Sequence, residues 1–194
     1  LSVGSAKNIL ARAVNIPGDL IATSASQKDG VITLGGAGSI VVAGNLSAKE
    51  NGNINISGDF VSLGGTVDVS GNSAGSITVQ AEGEASISAK LNASSTNDEG
   101  GKINITSSSK IVQSHGSLLN VSGQTSGGFI KLSSKGFVSS GDIEAKGHSL
   151  QGGFVDIEAS NDIRLLSSNI NASGSAQGGL IRIGGSFQGG NNLI

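Results

Sequence analysis

Gly128-Phe129-Ile130-Lys131-Leu132, Gly153-Phe154-Val155-Asp156-Ile157 and Gly179-Leu180-Ile181-Arg182-Ile183 are copies of one phrase, a glycine followed by x-apolar-x-apolar. Four earlier copies begin at Gly30, Gly52, Gly75 and Gly101, with the aliphatic pairs Ile32/Leu34, Ile54/Ile56, Ile77/Val79 and Ile103/Ile105. The steps between successive glycines are 22, 23, 26, 27, 25 and 26 residues. Periods of that size mark a chain in which each repeat is one structural unit stacked on the next. Apolar residues alternating within each phrase, many of them β-branched, describe a strand with one buried face. The residue between them, Thr33, Asn55, Thr78, Asn104, Lys131, Asp156 or Arg182, is polar in every copy and is expected to face outward.

A second register follows each phrase: Leu46-Ser47-Ala48, Val67-Asp68-Val69, Leu91-Asn92-Ala93, Leu119-Asn120-Val121, Ile143-Glu144-Ala145 and Ile170-Asn171-Ala172. Its inward site is often alanine, which points to a narrow part of the cross-section. Between the two lies a looser segment, at Ile40-Val41-Val42, Val61-Ser62-Leu63, Ala85-Ser86-Ile87, Lys110-Ile111-Val112, Phe137-Val138 and Ile163-Arg164-Leu165. Three short strands per repeat make a triangular coil, and stacking the coils encloses one column of aliphatic side chains. The expected fold is therefore all-β, a parallel β-helix with three-strand rungs. Seven to eight rungs at strand spacing would make a rod roughly 35 Å long.

The whole of 1–194 reads as a single β-helix segment of a longer polypeptide, with regular rungs over 30–194. Residues 1–29 read as an irregular first rung that contains the one proline, Pro17, and a partial match at Leu20-Ile21-Ala22. Corners are expected at Ser70-Gly71, Ser122-Gly123, Gly127-Gly128, Gly152-Gly153, Ser173-Gly174 and Gly178-Gly179, where glycine would supply positive φ. A leucine-rich repeat has a similar period, but its Leu-rich phrase with an inward Asn is missing and Gly/Ser turns stand where its helices would be.

Composition narrows the function classes. Among 194 residues there are 32 glycines and five phenylalanines, yet 36% of residues are hydrophobic and recur in register, which argues against disorder. The net charge is −2 and the 12 basic residues are scattered, leaving no cationic stripe for nucleic acid. No apolar run approaches a membrane-spanning helix, so no membrane insertion is expected. The absence of cysteine excludes a disulfide framework and thiolate metal sites. No cofactor is expected, because no phosphate loop, nucleophile triad or repeated calcium-binding nonapeptide can be assembled.

The glycine-initiated rungs and the stretch from Ile170 to Leu193, which reads INASGSAQGGLIRIGGSFQGGNNL, resemble the filamentous-haemagglutinin-like passengers of two-partner secretion. The resemblance covers about residues 30–194. It implies a right-handed parallel β-helix, export through an outer-membrane transporter partner, and a role in bacterial attachment. The family's N-terminal secretion domain is not evident in residues 1–29, so the resemblance places this segment in the shaft or a binding region.

Several residues are candidate sites. Six Asn-x-Ser/Thr triplets, at Asn45, Asn55, Asn92, Asn104, Asn120 and Asn171, match the glycosylation acceptor pattern, although Asn and Ser are also the commonest outward and turn residues here. Lys131, Asp156 and Arg182 fall at one position on consecutive rungs, which suits a charge ladder. A sugar-cleaving site is the sharper alternative, with Asp142, Glu144, Glu158 and Asp162 in the same rungs. Phe129, Phe154 and Leu180 form an outward apolar stripe, which is either a ligand-binding face or a surface covered by a long loop. His115 and His148 are each isolated in turn regions and read as solvated loop residues.

These observations favour a monomeric, non-enzymatic adhesin rod, secreted to the bacterial cell surface. Its expected partner is a host-cell receptor or a glycan such as exopolysaccharide, in attachment, biofilm formation or virulence. The competing readings are a polysaccharide-active β-helix lyase or hydrolase and a passive spacer.

Overall fold

A computed structural model of the chain describes residues 14–18, 20–21 and 30–184, over which all regular structure is β-strand. Most of the irregular first rung, including Ala22, and the end of the INASGSAQGGLIRIGGSFQGGNNL stretch lie outside the described residues. The chain winds into a parallel β-solenoid with three faces. The first carries the glycine-initiated strands β3 (Val31–Gly35), β6 (Asn53–Gly58), β9 (Ser76–Ala81) and β12 (Lys102–Ser107), the first halves of β15 (Phe129–Ser139) and β17 (Phe154–Leu165), and β19 (Leu180–Ile183).

The second face holds β1 (Val14–Ile16), β4 (Ser39–Val42), β7 (Phe60–Leu63), β10 (Ala85–Ile87), β13 (Lys110–Gln113) and the second halves of β15 and β17. The third is a seven-stranded sheet of β2 (Leu20–Ile21), β5 (Asn45–Ser47), β8 (Thr66–Asp68), β11 (Lys90–Asn92), β14 (Leu118–Asn120), β16 (Asp142–Glu144) and β18 (Asn169–Asn171). Every pairing is parallel and joins equivalent residues of adjacent turns, as in Ile103↔Ile130, Ile130↔Val155 and Val155↔Ile181.

Three separate strands per turn were expected throughout. In the later turns the first two merge instead. β15 and β17 run through the corner between faces, with a register shift between Ser134 and Gly136, and so join the two faces into one 12-stranded sheet. In these turns the link between the two registers, Ser133-Ser134-Lys135 in β15, stays extended.

The interior is the aliphatic column that the phrase encodes. Ile54, Ile77, Ile103, Ile130 and Val155 are fully buried on the first face, and Leu46, Val67, Leu91 and Ile143 on the third. Each such side chain removed from water stabilises the fold by about 1.5–3 kcal/mol before chain entropy is counted. Ala48, Ala93 and Ala145 are also fully buried at the tight corner after the third strand.

Polar groups enter the column most deeply on the second face. Gln113 and Ser139 occupy inward positions in register with Ile87 below. The Ser139 hydroxyl donates to Gln113 Oε1 at 2.9 Å, and Gln113 Nε2 donates to the Asp142 carbonyl at 3.0 Å. Ser168 donates to Ser139 Oγ at 2.6 Å, and the Gly141 N–H donates to the same atom at 3.3 Å. Among the described residues no buried side-chain polar atom lacks a partner, so the network is closed rather than frustrated.

The glycines occur for a reason other than the one expected. Positive φ among described glycines is confined to Gly38, Gly65, Gly116 and Gly184, and none of the six Ser-Gly and Gly-Gly corners adopts it. What those corners require is close approach of one turn to the next. A Cβ on Gly153 would overlap the Gly128 carbonyl oxygen, and one on Gly128 would overlap that of Gly101. The repeated glycine therefore lets consecutive backbones nest at the start of each first-face strand.

Candidate functional site: a groove across three turns

The first position of each glycine phrase is in register from turn to turn, running Val31, Asn53, Ser76, Lys102, Phe129, Phe154 and Leu180. In its last three turns this outer ladder becomes apolar. The Phe129 and Phe154 rings lie 5.2 Å apart between centroids with a 43° tilt, a favourable aromatic geometry. Both are half-buried, and Leu180 is 61% exposed.

The longer loops of these turns stand beside this apolar stripe. Residues 147–151 and 174–177 stack in parallel, through bridges Gly147↔Gly174 and Gln151↔Gln177 and bonds such as Ala176 N–H to the Leu150 carbonyl at 2.8 Å. The result is a groove of roughly 540 Å³ that follows the stacking direction. Its floor is Gly127-Gly128, Gly152-Gly153 and Gly178-Gly179, one wall is Phe129, Phe154 and Leu180, and the other is Glu99, Gln151 and Gln177. Glycine at the floor serves twice, admitting the next turn below and leaving the trough open above. The backbone N–H groups of Gly127, Gly128, Gly152, Gly153 and Gly179 are all donated within the solenoid.

The charge ladder forms beside this groove. Arg182 grips Asp156 with two bonds, Nε to Oδ1 at 2.8 Å and Nη2 to Oδ2 at 2.6 Å, and donates to Glu158 at 2.8 Å. Hydrogen bonding to Asp156 and its charge raise the Arg182 guanidinium above its ordinary value. Arg182 lies 5.9 Å from the Phe154 ring centroid and thereby bridges ladder and stripe. Lys131 pairs with Glu158 at 3.7 Å.

One expectation needs correction here. Asp156 was to face outward into water, but its side chain is only 2% exposed because Arg182 covers it and takes both oxygens. The other acidic residues are dispersed: Glu144 pairs with Lys146 on the third face, Asp162 pairs with Arg164 near the second, and Asp142 is exposed at the start of β16. His115 and His148 are exposed at different corners.

The Asn-x-Ser triplets on the third face have a specific structural use. The side-chain carbonyls of Asn92, Asn120 and Asn171 accept the backbone N–H of Ser94, Ser122 and Ser173, at 3.3, 3.0 and 2.9 Å. Asp68 does the same for Ser70 at 3.0 Å, so the turn needs an Asx oxygen rather than an amide. Asn92 Nδ2 donates to Asp68 at 3.3 Å, and Asn120 Nδ2 donates to Asn92 at 3.2 Å. A sugar on either nitrogen would disturb this ladder. Asn55 and Asn104 are half-buried on the outer ladder of the first face, and Asn45 is exposed at the start of β5.

Asn120→Ala is expected to cost about 1 kcal/mol by removing both bonds. Asn120→Asp retains the Ser122 contact and should cost less. Urea unfolding of the two variants checks the order.

The aromatic half of the groove was visible in the sequence. Its polar wall was not, although Glu99, Gln151 and Gln177 each stand two residues before the phrase glycine, at Gly101, Gly153 and Gly179, and so keep the same period. The signal that could have found them is their position shortly before the glycine pair of the following turn. No protein-family model matches this chain, and neither a curated protein nor a solved structure matches it.

Proposed function

We propose that the chain is a segment of a secreted, non-enzymatic bacterial surface adhesin of the filamentous-haemagglutinin-like kind, exported through an outer-membrane transporter partner. The resemblance of the repeat supports that origin, and a parallel β-solenoid is compatible with it. The observation that carries the binding role is the open groove lined by two half-buried, mutually packed phenylalanine rings and the exposed Leu180, set beside polar groups. Attachment is to a host-cell receptor or a matrix glycan, and the rod acts as a monomer.

A binding rather than cleaving role is favoured by the disposition of carboxylates. Cleavage by paired carboxyls needs two such groups flanking the bond, about 5–10 Å apart. The groove lining holds one, Glu99, while Asp156 is buried beneath Arg182. Glycosylation of the six Asn-x-Ser/Thr sites remains secondary to the turn role of Asn92, Asn120 and Asn171. Intact mass of protein from its native host, equal to the polypeptide alone, would remove glycosylation altogether.

Fluorescently labelled protein applied to epithelial cells and to a glycan array, alongside reducing-end and unsaturated-product assays on acidic polysaccharides, tests the proposal. Attachment without product release is expected. Product release would establish an enzyme, and neither attachment nor release would establish a spacer.

A further inference from the structure

The groove wall opposite the aromatic stripe bears on which ligand it takes. Gln151 and Gln177 are exposed, in register, and one turn apart. Among the described residues neither amide group has a hydrogen-bond partner. Each therefore offers one acceptor oxygen and two N–H donors at the lining that Phe129 and Phe154 share. Paired donor-acceptor groups opposite aromatic rings suit a ligand with hydroxyls or amides along its edges and C–H-rich faces, which is the chemistry of a pyranose chain.

Charge narrows the class. Among the described residues the lining carries a single ionisable group, the Glu99 carboxylate. Of the neighbouring cations, Arg182 is held by Asp156 and Glu158, and Lys131 is drawn to Glu158. Lys102 stands one strand below Phe129, outside the lining. A polyanion laid in the trough would meet Glu99 and no cation of the lining, which disfavours it. An extended peptide fares no better, since it would need free strand edges for pairing and the N–H groups of Gly127, Gly128, Gly152, Gly153 and Gly179 are already donated within the solenoid.

We infer that the groove between Phe129-Phe154-Leu180 and Gln151-Gln177 binds an uncharged linear glycan laid along the stack of turns. This rests on the adhesin reading above and specifies its ligand. The rings contact sugar faces, the two glutamines bond hydroxyls or N-acetyl groups of residues one turn apart, and the glycine floor lets the chain approach the backbone.

Isothermal titration with cellohexaose and chitohexaose as uncharged probes, and with hexagalacturonate and a heparin hexasaccharide as acidic ones, tests this. At least one uncharged probe should bind with an affinity that is insensitive to salt. Phe154→Ala and Gln151→Ala should each weaken it by about tenfold or more. Gln151 is exposed, so its variant separates lost recognition from lost folding, and circular dichroism checks Phe154→Ala. Failure of both uncharged probes to bind, or binding unchanged in Gln151→Ala and Phe154→Ala, would overturn the inference. Preferential, salt-sensitive binding of an acidic probe that is abolished by Lys102→Ala would overturn it in favour of a polyanion. Cell attachment measured on the same variants keeps the two readings apart: attachment that survives without uncharged-glycan binding sinks this inference and leaves the adhesin reading standing.

Discussion

Gly153→Ala should destabilise the rod by about 3 kcal/mol, at the upper end of what overpacking costs, although only one methyl group is added. The added Cβ would occupy the space of the Gly128 carbonyl oxygen, and close approaches to the Gly127 carbon and the Gly128 nitrogen leave it no lateral escape. Backbone cannot rotate away as a side chain can, so two turns must separate and the ladder between β15 and β17 must lengthen. Gly64→Ala is the matched control. A Cβ there would meet Val42 O at 3.5 Å and Ser88 Oγ at 3.7 Å, ordinary contacts, and Gly64 does not adopt positive φ. Its effect should fall within about 0.5 kcal/mol, because the lost freedom of the unfolded chain offsets small costs. Denaturant unfolding of both variants checks the contrast. Equal effects would mean that the glycine phrase is not about nesting of turns.

Phe137→Ala should cost about 3–5 kcal/mol, the range for emptying a buried aromatic site. Phe137 is fully buried on the second face, with Ile111 and Ile163 in register below and above it. Backbone ladders on both sides prevent the turns from closing over the void. In a stacked array such a loss acts first on the neighbouring turns. Hydrogen exchange should therefore show faster opening across the β13–β15–β17 pairing than at β6–β9. Phe154→Ala, removing a half-buried ring from the outer surface, should cost much less, and that difference lets the groove be tested without dismantling the fold.

The contrast between Phe137 and Phe154 also shows what was legible in the sequence. Alternation within the glycine phrase places Ile130 and Val155 inside and Phe129 and Phe154 outside, and the structure has them there. The same parity rule, carried two residues past Ile111 and Phe137, puts Gln113 and Ser139 indoors. Polar residues are tolerable there because of their hydrogen bonds to each other and to Asp142, Ser168 and Gly141, partners that the alternation does not reveal. The glycine positions were readable but their cause was not, since close approach between turns is a property of the stack and positive φ a property of one residue. Asp156 was misplaced for a similar reason: its burial is supplied by Arg182, 26 residues later. The groove was half legible: its aromatic wall stands out against the polar residues of the earlier turns, whereas its glutamine wall keeps the same period but is polar like most of the loop around it.

Nitrogen-15 chemical-shift mapping of the labelled protein titrated with chitohexaose or cellohexaose tests the central claim most directly. Saturable shifts confined to residues 127–129, 151–154 and 177–180, together with the Gln151 and Gln177 side-chain amides and Glu99, are the predicted result. Shifts on the second or third face instead, or none with either oligosaccharide, would contradict it.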